Sequence, residues 1–295
     1  MKVGLLDLIA PLTVVKLVDD ILWLSGMTVL EWYGCDDAHV FIHGLAILFF
    51  QTDFVILDMH NALQLRNVIV PGILSGAGTT QLSTTGFSLS PAQSTTLSIP
   101  TSWSGRLWAR TYCSQDSTTG KFTCLTGDCG TGTIECSGNG ATPPATLAEF
   151  TLNGADGLDF YDVSLVDGYN LPMMITAEGG TGGNCSTTGC AVDVNLGCPT
   201  ELRIMSTSTS SSGDNVVVAC KSACDAFGEP QYCCTDQYSS SATCKPTAYS
   251  EFFKSACPRA YSYAYDDGTS TFTCANANYV ITFCPPSSGY VAFHV

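Results

Sequence analysis

The chain has 295 residues, 11 of them Lys or Arg and 26 Asp or Glu, for a formal net charge of −15. An acid excess this large excludes a nucleic-acid binder that works through phosphate contacts. Hydrophobic residues at 45% exclude disorder by composition, while charged residues at 13% are about half the usual ~25%.

Composition changes abruptly near residue 70. The front segment, 1–69, holds Cys35 alone among 16 cysteines. Lys2 gives it a charged start, but Asp7 interrupts the apolar run, Pro11 follows, and no small-residue cleavage site is in place, so it reads as a poor secretory signal. Its longest uncharged run, Ala38 to Thr52, is short of the ~20 apolar residues a membrane span needs. Residues 1–69 are therefore read as an atypical N-terminal segment, translated non-coding sequence or an alternative start, with a genuine helical extension as the alternative.

From Pro71 onward, short alternating runs are separated by Gly, Pro and Ser/Thr turns. Ser94–Ile99, Gly105–Tyr112, Thr146–Leu152, Asp159–Val166 and Tyr279–Phe283 are expected strands, and the pattern is that of a mainly β sandwich or barrel. In Thr146–Leu152, Ala148, Phe150 and Leu152 share one face, and Glu149 and Thr151 point the other way. Helix is expected around Asn215–Phe227, capped by Asp214, and around Ser250–Ala256. Residues 70–295 thus divide into a β-rich body (70–189 and 258–286) and a cysteine-dense insertion (190–257).

Fifteen cysteines follow Cys35. Zinc is the competing explanation, but only His294 accompanies them and no paired CxxC sets occur, so disulfides and an oxidising compartment are expected, with no metal. An odd number leaves one thiol in this region without a partner there. Asn184-Cys185-Ser186 is a glycosylation sequon, and an unmodified loop asparagine is the alternative.

Several motifs carry a family resemblance. They are G-K-F-T-C-L-T-G-D-C-G-T-G-T-I-E-C (Gly120–Cys136), P-P-A-T-L-A-E-F (Pro143–Phe150), D-F-Y-D-V-S-L-V-D-G-Y-N-L-P (Asp159–Pro172), Q-Y-C-C (Gln231–Cys234), Y-S-E-F-F-K (Tyr249–Lys254) and A-Y-S-Y-A-Y-D-D (Ala260–Asp267). In this order they closely resemble thaumatin-like proteins, the plant pathogenesis-related family 5. The resemblance implies a flattened β-sandwich, a disulfide-rich helical domain, a small hairpin domain and a cleft between the first two. It also implies the pairs Cys113–Cys124, Cys129–Cys136, Cys185–Cys274, Cys190–Cys257, Cys198–Cys220, Cys224–Cys233 and Cys234–Cys244, and leaves Cys284 over. The family's first strand carries a cysteine where this chain has Leu65, and a tryptophan where it has Val70, which puts one strand of the sandwich and an eighth disulfide in question.

With histidine nearly absent from this region and the cysteines consumed in disulfides, carboxylates remain as candidate chemical groups. Glu149, Asp162 and Asp167 break apolar strand contexts. By resemblance the cleft is lined by Arg106, Glu149, Asp162, Asp167 and Asp267, with Asp266 the competitor for the last. Carboxylates crowded in a cleft raise one another's proton affinity, and Arg106 would hold one ionised, which gives an acid/base pair suited to glycoside chemistry. The plainer alternatives are hydrogen bonding to sugar hydroxyls without cleavage and a structural Arg106–Glu149 ion pair. Asp162 and Asp167 are an odd number apart, so both can enter one cleft only if a bulge or turn separates them. Asp128 reads as a turn residue.

The leading functional reading is a plant defence protein that binds fungal cell-wall β-1,3-glucan through this acidic cleft, with Phe160, Tyr161 and Tyr169 as nearby aromatics. A weak endo-β-1,3-glucanase using Glu149 with Asp162 or Asp167 is the alternative, and a non-catalytic inhibitor of microbial hydrolases is the third. The resemblance implies no cofactor, a polysaccharide ligand, a monomer, and an extracellular (apoplast) or vacuolar location. No nucleic-acid partner or membrane anchor is expected.

Overall fold

A computed structural model describes residues 54–61, 68–206 and 216–286. Cys35, Leu65, Asp214, His294 and the features assigned to residues 1–53 lie outside the described residues. The expected mainly β architecture is present in three sheets.

The first sheet has the order β3-β1-β13-β8-β9, built from β1 (Phe54–Asn61), β3 (Ser94–Pro100), β8 (Met173–Glu178), β9 (Thr188–Cys190) and β13 (Asn278–Phe283). The second has the order β12-β7-β6-β4-β2, with β5 added on β4. It comprises β2 (Val70–Ser75), β4 (Ser104–Gln115), β5 (Phe122–Thr126), β6 (Leu147–Thr151), β7 (Asp159–Ser164) and β12 (Phe272–Cys274). The third pairs β10 (Arg203–Met205) with β11 (Val217–Cys220).

The two large sheets share one core. Leu57 and Tyr279 from the first meet Leu107, Phe150 and Tyr161 from the second, all fully buried or nearly so. The rings of Phe150 and Tyr161 lie 5.2 and 5.0 Å from that of Tyr279. Aromatic pairs at such spacing stabilise beyond the area they bury. Trp108 faces the other side of the second sheet, in a smaller cluster with Cys129, Cys136, Ala145 and Leu147. A side chain at Gly72 would sit 2.5 Å from the Trp108 ring, so the indole lies directly over the β2 backbone.

The questioned strand is present, and it comes from the segment set apart by composition. In β1 the residues Val55, Leu57, Met59 and Asn61 are buried and alternate with more exposed ones. This is the period of a strand with one face in a core. β1 runs parallel to β13 and antiparallel to β3, so both of its edges are hydrogen-bonded.

The region read as a helix over Asn215–Phe227 differs. Val217–Cys220 is strand β11, and only Ala223–Phe227 is helical (α1), with Ser222 as its cap through a hydrogen bond from the Asp225 N–H. β-branched Val217 and Val218 favour the strand, and the cap comes eight residues later than Asp214. A second short helix, α2, spans Pro230–Cys233, and α3 spans Ala248–Ala256, two residues earlier than expected, because Thr247 and Ser250 form a reciprocal cap. Helix α4 (Asp267–Ser270) follows.

The seven pairs implied by the resemblance are closed as disulfides. Cys284 is a buried free thiol, its backbone N–H bonded to Pro172 O at 2.8 Å. Burial, with Asp193 adding to it, pushes that thiol up to about 12. Each disulfide restricts the unfolded chain and stabilises by about 2–4 kcal/mol.

Candidate functional site

Strand register builds the core of the site. Arg106 on β4 is opposite Glu149 on β6, and Glu149 is opposite Asp162 on β7. Directly opposed residues have Cβ atoms about 4.5–5.5 Å apart, so the three form a row across one face of the sheet. Buried Ala148 and Phe150 flank Glu149, buried Tyr161 and Val163 flank Asp162, and buried Leu107 follows Arg106. Alternation therefore turns all three away from the main core. The Arg106 Nε lies 3.8 Å from Glu149 Oε1.

The turn demanded by the spacing of Asp162 and Asp167 is present. β7 ends at Ser164, and Gly168 N–H donates to Leu165 O at 3.0 Å. Gly168 has φ +87°, and a Cβ there would meet Cys220 O and Pro144 Cβ, each at 2.7 Å. Gly168→Ala is expected to cost roughly 2–4 kcal/mol from backbone strain plus overpacking. Urea unfolding measures this, and a loss below about 0.5 kcal/mol would mean the turn is not held as described.

The opposite wall comes from the segment after the last insertion cysteine. Tyr261 N–H bonds Val163 O at 2.9 Å, and Leu165 N–H bonds Tyr261 O at 2.8 Å. Tyr261 therefore runs beside the end of β7. Its hydroxyl donates to Asp267 Oδ1 at 2.8 Å and also meets Thr271 Oγ1. Arg106, Glu149, Asp162, Asp167, Tyr261 and Asp267 together line a cavity of about 350 Å³.

Asp266 is not among its lining residues. It accepts from Ser262 N and Oγ at 3.0 and 2.9 Å, and Lys254 Nζ lies 2.8 Å from its Oδ2. That leaves Asp267 as the residue of the two that faces the cavity. Asp128 accepts from the backbone N–H groups of Cys124 and Gly130, each at 2.6 Å, and is a turn residue.

The aromatics differ from expectation. Tyr161 and Tyr169 are fully buried, with hydroxyls bonded to Ser186 O and Val192 O, and Phe160 does not line the cavity. Tyr161 lies on the core-facing phase of β7, one residue out of step with Asp162. The aromatic in the cavity is Tyr261, which sequence spacing could not link to Glu149, Asp162 or Asp167 because it is about a hundred residues further along the chain.

Burial dominates the electrostatics. It raises Asp162 from the ordinary carboxylate range to about 8, with Glu149 and then Asp267 adding to the shift. Asp162 Oδ1 is buried without a hydrogen-bond partner. Burial also raises Glu149 and Asp167, and the attraction of Arg106 for each does not overcome it. Asp225, from the first turn of α1, adds to the upward shift of Asp167. Arg106 thus offsets part of the rise at Glu149 and Asp167 without reversing it. Among the described residues no set of His, Cys, Asp or Glu is arranged to hold a metal ion.

Residues 64–285 match the model of the thaumatin family. The chain belongs to that family. It is 59% identical over 220 residues to thaumatin-like protein 1 of Arabidopsis thaliana, covering 73% of this chain and 81% of that protein. A pathogenesis-related thaumatin-like protein 3.5 of Cryptomeria japonica is 57% identical over 217 residues, covering 74% of this chain and 85% of its own. A protein of Prunus avium named glucan endo-1,3-beta-glucosidase is 55% identical over 219 residues, covering 74% and 86%. Among the described residues no helix is long and apolar enough to cross a membrane.

Proposed function

We propose that this thaumatin-family chain is a plant defence protein that binds β-1,3-glucan of fungal cell walls in the cavity around Glu149 and Asp162. The observation that carries this is the row Arg106–Glu149–Asp162, closed by Asp167, Tyr261 and Asp267 around about 350 Å³. Carboxylates repel anions, whereas a neutral polyol offers them hydroxyl donors. A protonated Asp162 adds a donor of its own, and Arg106 and Tyr261 add further partners. The name of the Prunus avium relative favours a β-1,3-glucan over other polyols. Seven disulfides favour an oxidising compartment, in keeping with secretion to the apoplast or delivery to the vacuole. The protein is proposed to act as a monomer.

Depletion from solution by insoluble β-1,3-glucan tests the reading. The folded protein is expected to co-sediment, and Glu149→Gln to bind roughly tenfold more weakly, the scale of one hydrogen bond to a charged group. A folded wild type that stays in the supernatant would sink it.

One feature favours weak endo-β-1,3-glucanase activity as the second reading. Adjacent carboxyls with raised proton affinity allow one to donate a proton while its neighbour is ionised, which is what glycoside cleavage requires. New reducing ends that disappear in Glu149→Gln would support it, and equal release by wild type and variant would remove Glu149 from the chemistry.

A further inference from the structure

We propose that the glucan-binding track continues out of the acidic cavity into an aromatic subsite on the disulfide-rich insertion, formed by Tyr232, Tyr238 and Lys245. This rests on the reading that the acidic cavity takes a polysaccharide, and it adds a second subsite that makes binding depend on chain length.

Three hollows adjoin one another. Val166 lines both the acidic cavity and a small hollow of about 20 Å³ that also touches Tyr263. Tyr232 and Lys245 line both that hollow and a third cavity of about 400 Å³, where Tyr238 joins them. Two wide pockets thus share lining residues with one hollow that has room for about one water. A compact ligand would fill one pocket, whereas a linear polymer that passes over the hollow along the surface can reach both.

The chemistry changes along the way. The third cavity has no carboxylate among its lining residues, which are aromatic, amide, hydroxyl and ammonium-bearing beside Pro246. A sugar ring presents an apolar face and a rim of hydroxyls, and this combination matches a tyrosine face beside hydrogen-bonding groups. Lys245 Nζ donates to Ser241 O at 2.9 Å, which leaves further ammonium protons for a ligand.

The subsite is also held in place before anything binds. Tyr232 lies on α2 with its ring 5.6 Å from that of Phe227 and 5.8 Å from that of Tyr249. Tyr232 sits inside the loop closed by Cys224–Cys233, and Cys234–Cys244 closes the next loop. Tyr238 closes a short turn, Asp236–Tyr238, inside the second of these loops. Fixing such rings in advance lowers the ordering cost of binding. Tyr232 and Tyr238 are half-buried, which leaves part of each ring open to a ligand.

Titration calorimetry with laminaribiose and laminarihexaose on the intact protein tests the proposal. Wild type is expected to bind the longer sugar more tightly. In Tyr238→Ala the ratio of the two affinities is expected to fall roughly three- to tenfold, the scale of one aromatic contact. Lys245→Ala, at an exposed side chain, provides the same readout should Tyr238→Ala fail to fold. A preference for the longer sugar that survives in both variants, or equal affinity of wild type for the two sugars, would overturn the second subsite and leave the acidic cavity standing. Failure of folded wild type to bind either sugar would instead overturn the polysaccharide reading itself, and this one with it.

Discussion

Leu57→Asp is expected to leave the protein unfolded at room temperature. Leu57 is fully buried at the centre of β1, in register with Leu97 on β3 and Tyr279 on β13. Its side chain belongs to the core that joins the two large sheets. A carboxylate placed there loses its hydration and gains no partner, which costs several kcal/mol against a total stability of about 5–15 kcal/mol. Leu57→Met keeps volume and apolarity and is expected to cost less than about 1.5 kcal/mol. Far-ultraviolet circular dichroism and a thermal melt distinguish the two. If Leu57→Asp melted within a few degrees of wild type, β1 would not be part of the folded sandwich and residues before Ile69 would be dispensable to it.

That strand also marks where sequence reading failed. Val55, Leu57 and Met59 recur at every second position, with Asp58 between the last two and His60 following, but they lie inside a stretch whose overall composition is foreign to the rest. Composition averages over tens of residues, whereas a strand needs only five or six with the right period. The helix expected over Asn215–Phe227 failed for a related reason. Val217 to Cys220 has no periodicity of its own that separates strand from helix, and its partner strand, Arg203–Met205, lies across a Ser/Thr-rich connection. The acids were legible because alternation works at each one separately: Glu149 and Asp162 stand at outward positions of strands whose inward residues are plain. Asp225 and Tyr261 were not legible as neighbours of those acids, because only the folded chain brings α1 and the segment after Cys257 to the end of β7.

Asp162→Asn is expected to stabilise the protein at neutral and mildly alkaline pH and to flatten its stability profile. Asp162 binds its proton in the native state up to about pH 8, whereas in the unfolded chain it releases it near the ordinary carboxylate value of 3.8. Between those limits the native state holds a proton that the unfolded state lacks, so stability falls as pH rises. The contribution is fully present below the unfolded value and is lost once pH passes the native one. The steepest slope one such group can impose is about 1.4 kcal/mol per pH unit, or roughly 3–6 °C in melting midpoint for a domain of this size. Asparagine has the shape and neutrality of the protonated acid and cannot ionise, so its variant should lose most of that slope. The groups that act on Asp162 include Glu149 from β6 and Asp267 from α4, with Arg106 and Asp167 facing Glu149. Because Glu149 and Asp167 are themselves raised, some slope is expected to persist in the variant. Melting curves recorded from about pH 5 to pH 9 would read the difference directly, a window chosen to span the native transition of the group. Parallel curves for the two proteins would mean that Asp162 is already ionised in the native state, and the cavity would then lack the neutral Asp162 carboxyl as a donor to a sugar.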